Sequence, residues 1–220
     1  MAEDYLTDDE QLENVKRIVA ENWLWVVGGV VLGAAIIFGY RFYDNRRNDI
    51  ALRAAGEFQK ISAALATNDE TRVKQAAAAL IKEYPASPYA DQAKLVLARM
   101  SVDSGKLADA RAPLTDVMND SKDEELKHIA RLRLARVLIA DNKADQALQM
   151  LTVAAPGAFA GSYHEVRGDA FYAKNDTQRA ITEYKAALAS GDPASPESGL
   201  LQLKMADLGT PPSSTSKAKP

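Results

Sequence analysis

The chain has 220 residues and a formal net charge of −3, with no cysteine and two histidines. This slightly acidic balance gives no electrostatic reason to expect nucleic-acid binding. The lack of cysteine excludes disulfides, cysteine-ligated zinc and thiol catalysis, and it leaves the redox compartment open. Alanine is abundant, and no run alternates polar with apolar residues as a strand would. The sequence therefore predicts an all-α protein.

An uncharged run from Trp23 to Tyr40 predicts a single membrane-spanning helix near the N-terminus. A helix of this length spans about 27 Å, which is close to the ~30 Å hydrocarbon core of a bilayer. Aromatic rings prefer the headgroup level, and they occur at both ends of the run, with Trp25 at one end and Phe42 and Tyr43 at the other.

Two other interpretations of this run are a cleaved signal peptide and the buried core helix of a soluble protein. A signal peptide has a basic start and a small-residue cleavage site. Here residues 1–22 contain seven acidic residues against Lys16 and Arg17, and the run ends without such a site. A buried helix of this length would rarely lack polar residues. The sequence therefore favours an uncleaved membrane anchor.

The patterns on either side of the anchor complete the domain organisation. Residues 8–22 predict a short amphipathic helix. Beyond the anchor, the helical pattern resumes at about Asp49, breaks at Asn68 and continues in a partner helix at 70–83. The polar end of the chain predicts disorder. The predicted segments are an N-terminal segment (1–22), the membrane helix (23–40), a repeat domain (41–208) and a disordered tail (209–220).

Three units of the repeat domain share a helix–turn–helix pattern around Gly105, Asn142 and Asn175, which are 37 and 33 residues apart. Each unit has a small residue seven positions before the turn, an alanine five positions after it and a large residue nine positions after it. These are Ala98, Ala135 and Gly168, then Ala110, Ala147 and Ala180, then Leu114, Leu151 and Tyr184. Small residues let paired helices approach, and glycine or asparagine ends a helix in the left-handed conformation at low cost.

This layout predicts a tetratricopeptide-like α-solenoid of helix pairs, whose period is ~34 residues. Residues 49–85 form a degenerate fourth unit, and an apolar helix at 196–208 would cap the last pair, because stacked repeats need a cap. The alternative is an unrelated alanine-rich helical bundle.

The sequence predicts no catalytic, metal or cofactor site. His128 lies in a charged helix segment and should be solvated, while His164 should lie near a helix start. Neither has carboxylates at metal-ligand spacing, and no phosphate-binding loop or nucleophile motif is present. We therefore expect a protein that is not an enzyme.

The first helices of stacked pairs line a groove, and equivalent positions on them are candidates for partner binding. The candidates are Leu95, Arg99, Val102, Leu132, Arg136, Ile139, Asp169 and Tyr172. An apolar floor with a few charges suits an extended or helical polypeptide better than a small molecule. Equally, the charged members could be ordinary solvated helix residues, and both interpretations remain open. The lysine and asparagine pattern that clamps a terminal carboxylate in some such domains is missing.

Within the anchor, Gly29 and Gly33 have the spacing that lets two membrane helices approach closely. Glycine is also common in membrane helices for other reasons. These two residues are therefore candidates for packing against a membrane partner.

The chain resembles the bacterial YfgM family, the ancillary subunit of the SecYEG translocon, over about residues 5–208. The resemblance is carried by LENVKRIVAEN (12–22), DEELKHIARLRLARV (123–137), ADQAL (144–148) and EVRGDAFYAKND (165–176). It implies a single-pass bacterial inner-membrane protein with a cytoplasmic N-terminus and a periplasmic repeat domain. It also implies two partners, the SecYEG translocon and a membrane-anchored periplasmic chaperone of the PpiD type. The family is not known as an enzyme family.

The charges beside the anchor slightly disagree with that topology. Lys16 and Arg17 precede the anchor and three arginines follow it, so the positive-inside bias would keep the repeat domain in the cytoplasm by one residue. With a periplasmic domain, we expect a non-enzymatic accessory to protein export whose groove holds a chaperone or an emerging unfolded polypeptide. With a cytoplasmic domain, a regulatory scaffold that sequesters a stress-response or cell-envelope factor becomes the stronger hypothesis.

Overall fold

The computed structural model describes residues 16–17, 20–21, 23–153, 156–190 and 196–209. Helices and turns account for the described chain, and no strand occurs in those ranges, so the all-α prediction is confirmed. The helices are α1 (Trp23–Ala66), α2 (Glu70–Glu83), α3 (Pro88–Asp103), α4 (Leu107–Asp120), α5 (Glu124–Ala140), α6 (Ala144–Met150), α7 (Ala160–Ala173), α8 (Thr177–Ser190) and α9 (Pro196–Asp207). A short 3-10 helix, Gly157–Phe159, precedes α7. Most of the amphipathic helix predicted at 8–22 and the tail from residue 210 onward lie outside these ranges.

Helix α1 runs without interruption from the apolar run to the first helix pair. The sequence pattern predicts that helical periodicity resumes only at about Asp49, but residues 41–48 are helical as well. This segment contains neither proline nor glycine, and the Asn48 side-chain amide donates a hydrogen bond to the Asp44 carboxylate one turn earlier at 3.4 Å. The chain divides into two compact units between Leu52 and Arg53, so α1 contributes to both.

Among the described residues of its own unit, the apolar run of α1 has no packing partner. Among the described helices, α1 is the one long and apolar enough to cross a membrane, with a mean hydropathy of 2.0 over its most apolar window and none of that window buried. Trp25, for example, is 83% exposed. A core helix of a soluble protein would be mostly buried, whereas this segment is exposed in the described structure.

Four turns join the helices within the pairs, and each contains one residue in the left-handed conformation. These residues are Asn68, Gly105, Asn142 and Asn175, with φ between 55° and 73°. In every turn the next residue donates its backbone N–H to the carbonyl five residues earlier, at 2.8–3.0 Å. This bond satisfies a carbonyl that would otherwise lack a partner at the helix end. The predicted left-handed turns are confirmed, and the degenerate unit at 49–85 has the same turn as the other three.

Complementary side-chain sizes pack the two helices of each pair together. The position seven residues before the turn and the position nine after it hold Ile61 and Ala77, Ala98 and Leu114, Ala135 and Leu151, and Gly168 and Tyr184. All eight residues are buried. Where the residue at one of these positions is larger, the residue at the other is smaller. The summed side-chain volume of the two positions therefore varies less from pair to pair than the volume at either position. Protein interiors are close-packed, and such compensation keeps the helices at a similar separation.

The last pair takes this compensation furthest. A Cβ atom added to Gly168 would lie 2.4 Å and 2.5 Å from two ring carbons of Tyr184. No heavy atoms pack that closely, so only glycine allows the tyrosine ring to lie against α7 at this point. The absence of a side chain is therefore the feature that Gly168 contributes.

Helix α6 is shorter than its counterparts, with 7 residues where α4 and α8 each have 14. The repeat pattern predicts that this second unit continues to residue 155, whereas the helix ends at Met150. Thr152 and Val153 are β-branched and disfavour helix, and Pro156 lacks the N–H that a continuing helix would need. Leu151 still occupies the large position and is buried.

Helix α9 caps the last pair, as the apolar pattern at 196–208 predicts. Its Leu201 and Met205 are buried in a cluster with Ala180, Tyr184 and Ala187 of α8. The remaining buried side chains form one cluster in the middle of the stack and another around α1, α2 and α3.

Replacing Gly168 by alanine should lower the free energy of unfolding by about 1–3 kcal/mol, because the Tyr184 ring must move out of a packed core. The double variant Gly168→Ala, Tyr184→Leu reproduces the alanine–leucine combination of the two preceding pairs and should recover part of the loss. Denaturant unfolding of the full chain in detergent micelles, followed by circular dichroism, measures both.

Gly199→Ala is the matched control, since an added Cβ on this α9 residue meets no atom within 4 Å. It should be neutral or should stabilise by up to about 1 kcal/mol, because alanine favours helix over glycine. Equal stability of Gly168→Ala and the wild-type protein would contradict the packing argument.

Candidate partner-binding groove

Two neighbouring hollows lie along the first helices of the pairs. The first hollow encloses about 620 Å³ and is lined by side chains of α1, α3, α4 and α5. The second encloses about 500 Å³ and is lined by side chains of α5, α7, α8 and α9, and by Leu208 just beyond α9. Arg136 and Ala140 of α5 line both hollows, so the two are adjacent. We call the two hollows together the groove.

The structure places most of the predicted groove residues in these hollows. Leu95, Arg99 and Val102 line the first, Ile139, Asp169 and Tyr172 line the second, and Arg136 lines both. Leu132 lines neither, because it is buried in the central core cluster at 4% exposure. Equivalent positions in the repeats therefore identify the side of the domain on which the groove lies. They do not distinguish residues that line the groove from residues buried in the core beneath it.

The first hollow carries an excess of positive charge. Three arginines line it, Arg99, Arg133 and Arg136, against one carboxylate, Asp103. Arg99 donates from Nε to both oxygens of Asp103 at 2.8 Å. Arg136 reaches Glu165 only at 3.5 Å. Within the described ranges, Arg133 has no carboxylate at ion-pair distance, so its charge is not compensated by a direct partner.

Arg133 is the groove residue that the repeat comparison missed. It lies nine positions before its turn, where the neighbouring units have Val96 and Val166. Burial lowers the pKa of the Arg133 guanidinium from its usual value, and the nearby charges of Arg99 and Arg136 lower it further. The signal that could have identified it is an arginine at a position that is valine in the two adjacent repeats.

Asp169 and Lys204 of the second hollow pair with each other. Asp169 accepts hydrogen bonds from the Tyr184 hydroxyl at 2.8 Å and from Lys204 Nζ at 2.7 Å. Lys204 also donates to Glu165 at 3.0 Å. Asp169 is therefore a structural acceptor as well as a lining residue. Lys204 is a further groove residue that the repeat comparison missed, because it comes from the capping helix α9 rather than from a first helix.

Tyr184 sits between the core and this polar cluster. Its ring is buried against Gly168, and its hydroxyl donates to Asp169. Burial raises the pKa of the Tyr184 hydroxyl, and the negative charge of Asp169 raises it further. The tyrosine is therefore held in its neutral form by the folded protein.

The two histidines belong to contacts between helices rather than to a metal site. Nδ1 of His128 lies 2.8 Å from the Tyr163 hydroxyl, and its ring stacks on Phe159. The prediction that His128 is solvated is wrong, because aromatic side chains from the next unit cover one side of its helix. His164 lies near the start of α7 as predicted, 2.7 Å from Glu183. Among the described residues, no group of three or more histidine or carboxylate side chains could hold a metal ion.

The glycine pair of the anchor lies on α1, away from the groove residues in the sequence. A Cβ atom added to Gly29 or Gly33 would meet no atom within 4 Å. Their role in packing against a membrane partner stays a prediction.

Helix pairs joined by left-handed turns, small and large residues at fixed offsets, a capping helix and a groove along the first helices together define a tetratricopeptide-like repeat protein. Consistent with this class, a family model described as a tetratricopeptide repeat-like domain matches residues 16–210. No solved structure matches the chain at a significant level.

Similarity to known proteins narrows this class to one family. An ancillary SecYEG translocon subunit of Escherichia coli K12 is 32% identical over 204 residues, covering 93% of this chain and 98% of that protein. A protein of the same description from Neisseria gonorrhoeae is 29% identical, covering 93% of this chain and 98% of that protein. Another from Haemophilus influenzae is 23% identical, covering 84% of this chain and 91% of that protein. The chain belongs to the family of ancillary SecYEG translocon subunits, which confirms the resemblance seen in the sequence.

Tyr184 should make the protein less stable at alkaline pH. In the unfolded chain a tyrosine loses its proton near pH 10, whereas the folded protein keeps Tyr184 protonated. Above that pH the unfolded state binds fewer protons than the folded state, so the free energy of unfolding falls as pH rises, by up to about 1.4 kcal/mol per pH unit.

Tyr184→Phe keeps the ring and removes the ionisable group, so its stability should fall less steeply over the same range. Urea unfolding of both proteins at a series of pH values between about 8 and 11 measures the difference. Parallel curves for the two proteins would show that Tyr184 titrates alike in both states.

Proposed function

We propose that this protein is a non-enzymatic accessory subunit of the bacterial Sec protein-export machinery. The observation that supports this most is the groove of a repeat domain whose relatives, matched over nearly their whole length, are ancillary SecYEG translocon subunits. The groove presents apolar side chains together with three arginines, a lysine and three aspartates, and no group of described residues could hold a metal ion. Such a surface binds a polypeptide rather than catalysing a reaction.

The anchor supports this role by keeping the repeat domain at a membrane. One apolar N-terminal helix and the names of the relatives fit a single-pass inner-membrane protein. We take residues 23–40 as the spanning segment, with residues 1–22 in the cytoplasm and the repeat domain in the periplasm. Tethering to a membrane raises the effective concentration of a binding domain near membrane partners, so weak contacts suffice.

The partners we propose are the SecYEG translocon and a membrane-anchored periplasmic chaperone of the PpiD type. Gly29 and Gly33 would contact a membrane helix of a partner, and the groove would hold the chaperone or an emerging unfolded chain. The charges beside the anchor favour a second candidate function. If they keep the repeat domain in the cytoplasm, the groove would serve a regulatory scaffold that sequesters a stress-response or cell-envelope factor.

Fusing alkaline phosphatase to the C-terminus should give an active enzyme, because that enzyme matures only in the periplasm. A fusion of green fluorescent protein at the same point should be dark, since it does not fluoresce after Sec export. Phosphatase activity and cell fluorescence are the two measurements. An inactive phosphatase together with a fluorescent fusion would overturn the periplasmic assignment and favour the scaffold.

Photo-crosslinking in cells from position 99, 136 or 172, followed by mass spectrometry, should capture translocon or chaperone components. The control places the same photo-crosslinking amino acid at the position of Lys185, which is exposed on α8 and lines neither hollow. This control should capture far less. A parallel purification of the variant Gly29→Leu, Gly33→Leu should recover less SecYEG if the membrane helix is a second contact. Capture of neither component from any groove position would contradict the groove's role in the proposed function.

A further inference from the structure

We propose that the first hollow binds an acidic segment of a partner polypeptide, with apolar side chains on the floor of the hollow and carboxylates on Arg99, Arg133 and Arg136. This inference rests on the proposed function, because it takes the groove to be a polypeptide-binding surface. It adds the chemistry of the occupant, which neither the repeat pattern nor the family description specifies.

The apolar part of the hollow is open to an occupant. Leu65 of α1 and Val102 of α3 are 41% and 36% exposed, and both line it. Phe58 and Met100 are half-buried beside them. Leu65, Phe58 and Met100 come from the first two units, so the hollow lies between neighbouring pairs. Covering these side chains would remove apolar surface from water, which is the main favourable contribution to most protein association.

Positive charge exceeds negative charge in the hollow, because Arg99 and Arg136 each reach one carboxylate and Arg133 reaches none among the described residues. Asp103 pairs with Arg99 at the surface, where the Arg99 side chain is 74% exposed and such a pair contributes little. Arg133 has no carboxylate at ion-pair distance among the described residues, although Arg99 and Arg136 lie close enough to shift its pKa. A carboxylate arriving from a partner would form charge-assisted hydrogen bonds with these guanidinium groups, which are stronger than hydrogen bonds between neutral groups.

Arg133 also stands at a position where both neighbouring units carry valine. The equivalent residues of the neighbouring units are Val96, which lines the same hollow, and Val166, which is fully buried. Arg133 itself is exposed, so the fold does not need a cation here for packing. Its guanidinium is free to meet a carboxylate of a ligand.

The arrangement of the lining favours a polypeptide over an anionic lipid. Along α3 the apolar and charged residues alternate within a few positions, as Leu95, Arg99, Val102 and Asp103 show. A lipid presents one headgroup and one continuous apolar tail, so it would need the charges gathered at one end. A peptide carries carboxylates and apolar side chains in alternation along its length.

The test compares three dye-labelled, amidated 16-residue peptides of leucine and alanine that carry glutamate, glutamine or lysine at the same positions. The full chain is held in phosphatidylcholine nanodiscs, empty nanodiscs give the background, and fluorescence anisotropy measures binding. The glutamate peptide should bind about tenfold more tightly than the glutamine peptide, and the lysine peptide should bind more weakly still. Equal affinities for glutamate and glutamine peptides would overturn the proposal.

Arg133→Val should lower the affinity for the glutamate peptide several-fold and leave the glutamine peptide unaffected. Because the neighbouring units carry valine here, this variant should fold at least as well as the wild-type protein, which a denaturation curve verifies. Lys185→Glu on α8 is the charge control and should change neither affinity. If Arg133→Val and Lys185→Glu behave alike, the arginine cluster does not recognise carboxylates.

Three further outcomes distinguish this inference from lipid binding and from the proposed function. Displacement of the glutamate peptide by phosphatidylglycerol vesicles, but not by phosphatidylcholine vesicles, would assign the arginines to an anionic lipid and overturn the polypeptide proposal. If the glutamate preference is absent while SecYEG still co-purifies with the full chain, the inference fails and the proposed function stands. If the preference is present and depends on Arg133 while SecYEG does not co-purify, the inference stands and the proposed function fails.

Discussion

The close approach of paired helices is the constraint on which the rest of this structure depends. In each pair, a small side chain on one helix faces the position of a large one on the other, and the left-handed turn sets the number of residues between them. A turn one residue longer would rotate the second helix by about 100° and bring different side chains into the interface. Turn geometry and core volume therefore specify the same register, and this agreement is what lets a stack of short helices adopt one arrangement.

The groove follows from this packing. Because each pair keeps a similar helix separation, equivalent positions of the first helices recur along one face, and their side chains line the two hollows. The repeats are not equivalent in chemistry, however. Among the described residues, Arg133 adds a cation without a carboxylate partner to the first hollow, while Lys204 pairs with Asp169 in the second. A regular scaffold thus presents one hollow with an excess of positive charge and another in which the lysine is already paired.

The sequence was sufficient for features set by neighbouring residues and insufficient for contacts between distant ones. The turns at Asn142 and Asn175, the alternating small and large positions and the capping helix all follow from local rules of helix ends and side-chain volume. The contact of His128 with Tyr163 and that of Lys204 with Asp169 each join residues 35 positions apart. Such contacts depend on the rotation of one helix against another, which side-chain spacing along a single helix does not specify.

The separation of the core into three buried clusters bears on how the repeat domain opens. Neighbouring clusters share a helix, since α3 contributes Ala93 to one and Leu95 to the next, but each is formed by different side chains. The domain can therefore lose structure in one region while the others persist. The cluster shared by α8 and α9 is the smallest of the three within the described chain. We expect amide hydrogen exchange to be fastest at this end, where each opening event would separate Lys204 from Asp169 and so widen the second hollow. The capping helix thereby couples the local stability of the last repeat to the size of the groove.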